Sequence, residues 1–202
     1  MLLCIFVTSC SGRGVYRLDS SLLDLPVSLF SIDYYRDTFE EIEQFHGALP
    51  ERVLMICKMP KTMRSFYKDG RVTGSIITAR VIDIIDQGPD SNLKIGDSVQ
   101  ILCDFHVRDD SKGIKTFFIN IYVVPIKGEA YYLIYARKYT DTEKPEYGYY
   151  YLFDPKYCVQ ILYQDDTDMQ NDKIKHAEGY PAIREQILEK YKDRIEAARP
   201  KE

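Results

Sequence analysis

Between Ser98 and Phe105 the chain alternates without interruption: Val99, Ile101, Cys103 and Phe105 fall on one face, Ser98, Gln100 and Asp104 on the other. A repeat of two is the pleat of a β-strand with one side in a core and the other in water. Strand follows strand around it. Arg52–Met59 is a β-like run ended by Pro60, and Val72–Asp86 is long, with Gly74 near its start where a bulge or bend fits. Gln87-Gly88-Pro89-Asp90 and the polar Arg108–Gly113 break the chain into turns. Thr116–Val124 is apolar on both faces apart from Asn120, the pattern of a central or doubly covered strand. Lys127-Gly128-Glu129 turns into Ala130–Arg137, and Gly148–Phe153 is expected to pair with Tyr157–Tyr163 across Asp154-Pro155-Lys156. Strands at this spacing, punctuated by Gly, Pro and Asp, predict a mainly β (α+β) fold built on a small, closed or nearly closed antiparallel barrel.

Two helices flank the strands. Asp37 is placed to cap the first, with Glu40 three residues on and Phe39, Ile42 and Phe45 on one face, before Gly47 and Pro50 stop it. The second is amphipathic, from about Pro181 to Ala198. Ile183, Ile187, Leu188, Tyr191 and Ile195 form its apolar stripe, and Glu185, Glu189, Lys190 and Arg194 its wet side. A net charge of −4 gives no electrostatic footprint for nucleic acid.

The first ten residues end in Val7-Thr8-Ser9-Cys10, which resembles the lipobox of bacterial prolipoproteins: a branched apolar residue and two small ones before a cysteine. The resemblance implies a leader removed at Cys10, acylation of that thiol, and a protein anchored to a bilayer and facing outside the cytoplasm, in the cell envelope. Buried methylenes at about 0.8 kcal/mol each would hold it there without a spanning helix. The pattern departs from the family in one respect. The first basic side chain, Arg13, follows the cysteine, and the apolar run is short, as though a basic leader begins upstream of Met1. The alternative is a cytosolic protein whose apolar first strand carries V-T-S-C by chance. The chain then divides into residues 1–10, a leader; 11–50, a tether that becomes packed, followed by the short helix; 51–163, the barrel; and 164–202, a polar loop and the last helix.

Ser75–Ile101, SIITARVIDIIDQGPDSNLKIGDSVQI, is similar to a signature of OB-like barrels in secreted and lipid-anchored bacterial proteins, some of them related to the netrin/TIMP-type barrel. Lys127–Tyr135, KGEAYYLIY, resembles a later strand of the same family. Its Leu-Lys-x-Gly-Asp element is expected to be a turn, with Gly96 at positive φ and Asp97 bonding the following amides. One departure is that the helix usual between the third and fourth strands has no room between Val124 and Ala130.

Chemistry is sparse. After processing, Cys57, Cys103 and Cys158 remain, widely spaced and without CxxC, which allows one bridge at most. The acidic run Asp165–Asp172 lacks the glycine of a calcium loop and reads as solvated. His46, His106 and His176 are isolated and expected at the surface. His106, with Asp104, Asp109 and Asp110, could nonetheless form a His/carboxylate rim. Among 17 tyrosines, Tyr131, Tyr135, Tyr149 and Tyr151 are candidates to stack on a ligand. The expectation is a non-enzymatic module binding an envelope protein or glycan through Tyr131, Tyr135, Tyr149, Tyr151, Asp104 and His106. The alternative is a hydrolase or inhibitor-type module using the carboxylate rim. No catalytic residue, metal or cofactor is assigned.

Overall fold

The computed structural model of the protein describes residues 14–30, 38–68, 71–103, 105–109, 113–120, 128–140, 149–153, 159–162 and 180–201. Their order is β1 (Val15–Arg17), a short 3-10 turn (Ser20–Asp24), β2 (Val27–Phe30), α1 (Phe39–Gly47), β3 (Arg52–Lys58), β4 (Thr62–Lys68), β5 (Arg71–Gln87), β6 (Ser98–Cys103), β7 (Phe105–Asp109), β8 (Lys115–Asn120), β9 (Tyr131–Thr140), β10 (Tyr149–Phe153), β11 (Val159–Leu162), α2 (Tyr180–Lys190) and α3 (Lys192–Ala197). The fold is mainly β with a few helices, an α+β arrangement.

The large sheet runs β1-β4-β5-β3-β9-β10-β6; β11 also lies on β9, and β6 pairs back to β5. Two long strands make this path possible. β5, with 17 residues, pairs β4 through its first part and β3 through its last, and receives β6 through Ser75–Arg80. β9 takes β3 along one side, with β10 and β11 sharing the other. Register shifts at Phe66/Tyr67, Leu54/Met55 and Ile56/Cys57 let the strands bend while they stay paired. Gly74 sits where β5 crosses close to β6: a Cβ there would lie 2.7 Å from the Cys103 carbonyl oxygen. The closed or nearly closed antiparallel barrel expected is corrected in one respect: the sheet is not a closed barrel. The path turns back on itself, but its seam is β10 against β6, a parallel contact of two registered residues.

A second sheet, β2-β8-β7, takes Phe105, the last residue of the alternating segment. Val99, Ile101, Cys103 and Phe105 are all buried as expected, yet they belong to two sheets, β6 ending at Cys103 and β7 starting at Phe105. β8 is the central strand of its sheet. The β7–β8 hairpin lies in the stretch of chain between β6 and β9. Among the described residues before α1, Leu18 and Leu22 lie in the core.

Other boundaries move. Thr38 caps α1, accepting from the Glu41 amide while Glu41 reaches back to the Thr38 amide; Asp37 lies outside the described residues. β10 and β11 do not pair with each other. They lie end to end along β9, Phe153 opposite Ala136 and Val159 opposite Ile134, because the ten-residue strand offers an edge longer than either. The last helix breaks at Tyr191 into α2 and α3. In the 93–97 turn, Gly96 has φ +90° as expected, but Asp97 accepts from the preceding Lys94 amide at 2.9 Å instead of a following one.

The core is densest where β3 and β9 meet. Val53–Cys57 and Tyr132–Ala136 are buried without a break, so both faces of these strands are covered. Ile42 from α1, Ile183 and Ile187 from α2 and Ile195 from α3 join the same cluster. At about 1.5–3 kcal/mol for each such side chain buried, this helical layer is held by packing rather than by propensity.

Candidate functional site

The best-built polar constellation lies where α1, β9 and the α2–α3 break converge. Tyr135 is placed by β9 and is 1% exposed. Its hydroxyl donates to Glu43 Oε1 on α1. Tyr191, at the break, donates to the same oxygen at 2.7 Å, and Lys190 donates to Oε2. A carboxyl group receiving three donors and donating to none is in its ionised form. Burial raises the Glu43 pKa, but the bonds from Lys190, Tyr135 and Tyr191 outweigh it and the net shift is downward. Burial and the Glu43 bond push the Tyr135 hydroxyl upward, and Lys190 is raised by the Glu43 bond against its own desolvation. The cluster ties α1, β9 and the α2–α3 break together.

His46 completes that corner. Ile42 and His46 are four apart, on one face of α1, and His46 is 3% exposed, which corrects the surface position expected for it. Its Nε2 lies 3.1 Å from the Ala136 carbonyl oxygen, and its ring meets Tyr135 edge-on at 5.1 Å. Burial lowers its pKa, so the neutral form is the folded one.

The residues singled out from sequence disperse. Tyr135 has no face left for a ligand. Tyr131, at the start of β9, is half-buried, with Lys58 Nζ 5.6 Å from its ring centroid. Tyr149 and Tyr151 lie on β10, their rings outside the described part of the structure, and Cys10, Asp104, Asp110, His176 and the 165–172 run also lie outside the described residues. His106 stacks face to face on Phe118, centroids 5.1 Å apart and planes 5° from parallel. Its Nδ1 is buried without a partner, and burial, helped by Arg108, pushes its pKa down to about 4. Asp109, three residues along the same strand, falls on the opposite face. Cys57 and Cys103 are buried free thiols, and burial pushes Cys57 up, away from the reactive thiolate. Among the described residues no three His, Cys, Asp or Glu side chains converge as metal ligands would.

Sequence reasoning missed Glu43 and the bond it accepts from Lys190, which is exposed on its helix as expected. One signal was available: Glu43 adjoins Ile42 and lies three residues before His46, on the packed side of α1. No family model, curated protein or solved structure matches the chain.

Proposed function

We propose that the chain is a lipid-anchored protein of the bacterial cell envelope, facing outside the cytoplasm, whose β domain is a non-enzymatic module for a protein or glycan partner. The observation that carries the anchor is Val7-Thr8-Ser9-Cys10, a peptidase- and acyl-acceptor pattern placed five residues before β1. Among the described residues no helix is long and apolar enough to cross a membrane, so attachment through acyl chains on Cys10 is the route this reading uses. The binding role is supported by how the polar groups are committed. The Glu43 cluster joins helices to strand, His106 is stacked, and the described thiols are buried. The tyrosine this reading gives to a partner is the half-buried Tyr131, with Lys58 beside it; an aromatic face next to a cation suits a sugar or a peptide carboxylate.

Mass spectrometry of the native amino terminus tests the anchor. The expected result is an acylated Cys10 in the membrane fraction, with Cys10→Ala moving the protein to the soluble fraction. An intact, unmodified terminus in soluble cytosol would overturn the reading. For the partner, crosslinking in intact cells through a photoreactive residue at Lys58 is expected to trap an envelope protein or glycan, and Tyr131→Ala to reduce the yield several-fold. Trapping that ignores Tyr131→Ala would remove the surface from consideration.

A further inference from the structure

The last part of β5 carries Asp83 and Asp86, paired with Arg194 and Arg52, and Asp90 and Asp97 follow it. Its first part pairs β4, and β4 pairs β1, where the charges are of the other sign. Val15 stands opposite Arg64, and Arg17 opposite Thr62; all four are exposed, so they share the outer face of the β1–β4 ribbon. Lys115 Nζ lies 5.7 Å from the Tyr16 ring centroid, which brings the β7–β8 hairpin end beside β1. Next to Lys115, Ile114 is 53% exposed, and Val15 is 63% exposed. Two of the four large apolar side chains that stand exposed among the described residues are therefore at this end, amid Arg17, Arg64 and Lys115. Among the described residues, the acidic groups paired here are Asp19, 2.8 Å from Arg17, Glu129, 3.5 Å from Lys61, and Asp109, which stands opposite Lys115 in register.

The position of Cys10 gives this surface its partner. Five residues of extended chain reach at most roughly 18 Å. If Cys10 is acylated, β1 and its neighbours stand within that distance of the bilayer. We propose that the β1–β4 edge and the β7–β8 hairpin end form a membrane-apposed surface that binds anionic lipid headgroups; its orientation rests on the lipid-anchored reading. Arg17, Arg64 and Lys115 meet headgroup phosphates, and Val15 and Ile114 enter between them. The acyl chains supply attachment, and this surface sets which way the domain faces.

The test uses the full-length chain carrying Cys10→Ser, so that no acyl chain is present. It is sedimented with vesicles of phosphatidylcholine alone, or of equal parts phosphatidylcholine and phosphatidylglycerol. Binding is expected only to the second, and it should weaken as salt screens the charges. Arg64→Glu and Lys115→Glu should each weaken it at least roughly five-fold. Ile114→Asp should also weaken it, while Lys94→Glu on the distant 93–97 turn should not. Should a reversal unfold the protein, Arg64→Gln and Lys115→Gln carry the same comparison with smaller losses. Equal binding to both vesicles, or binding that ignores all these variants, overturns the proposal and assigns retention to the apolar Met1–Val7 run. Self-association abolished by Ile114→Asp, without vesicle binding, also overturns it and gives the face to a second copy. The two readings fail separately: an unmodified native Cys10 with vesicle binding intact removes the anchor alone, and an acylated Cys10 without vesicle binding removes the surface alone.

Discussion

Burial alone would raise the Glu43 carboxyl towards its neutral form, yet the donors around it reverse the sign. Its folded pKa lies below the ordinary 4.5, so its contribution to stability is present above that value and is lost as pH falls through the folded one. Glu43→Gln should therefore lower the urea unfolding free energy by about 1–3 kcal/mol near neutral pH, because Tyr135 keeps a buried hydroxyl with a poorer partner. The variant should also lose part of the decline below pH 4.5; a profile parallel to the parent's would refute the ionised cluster. The two histidines act at higher pH. His46 and His106 both have folded pKa values below 6.5, so the unfolded chain takes up more protons and stability falls as pH drops below 6.5, for His106 down to about 4. His106→Phe, which keeps a ring against Phe118, should flatten that upper part of the curve, and an unchanged slope between pH 6.5 and 4 would count against it. Ser75 is a different case. Its hydroxyl is fully buried opposite Cys103 and has no partner, so Ser75→Ala should be neutral or stabilising by up to about 1 kcal/mol. A loss of that size in the urea midpoint would mean the hydroxyl is bonded after all.

At the scale of elements, long-range ties govern what local patterns leave open. Arg194 on α3 grips Asp83 of β5 with two nitrogens, NH2 at 2.7 Å and Nε at 2.9 Å, and also donates to the Ile84 carbonyl at 2.8 Å. The pair is partly exposed, so Arg194→Ala should cost only about 1 kcal/mol globally. Amide exchange in 192–197 should rise several-fold more than in β3; equal increases would show that the pair does not hold α3 locally. The same tie marks how far the sequence was legible. Period two placed Val99, Ile101, Cys103 and Phe105 inside correctly, because a strand's face is a local property. Pairing is not local: Asp154-Pro155-Lys156 read as a break between two strands, but nothing adjacent told β10 and β11 that β9 had room for both. β4 was missed because Thr62–Lys68 lies on the edge half of the sheet with few large apolar residues. Arg194 and Lys190 are exposed as expected, but their ion pairs were illegible because the partners, Asp83 and Glu43, lie 111 and 147 residues away. Tyr135 was chosen from sequence for the wrong environment, since a tyrosine in an apolar strand reads the same whether its hydroxyl meets water or a buried carboxylate.

Across the whole molecule, the question is whether the helical layer and the strands unfold together. Ile183, Ile187 and Ile195 belong to the same buried cluster as Met55, Ile56, Leu133 and Ile134, so the helices have no core of their own. α2 and α3 are 11 and 6 residues long, too short to persist once detached. They are fastened at two further points, by Lys190 and Tyr191 to Glu43 and by Arg194 to Asp83. Losing either end therefore exposes apolar surface on β3 and β9, which lie at the centre of the large sheet. The expected behaviour is one transition in urea, with ellipticity at the helical band and the near-ultraviolet signal of buried Tyr132 and Tyr135 tracing the same curve. Removing both fastenings in Glu43→Gln/Arg194→Ala should shift the midpoint while the slope holds, because the apolar contacts still bind the layers. A helical signal that melts before the tyrosine signal in the parent protein would show instead that α2 and α3 dock onto a β domain able to stand without them.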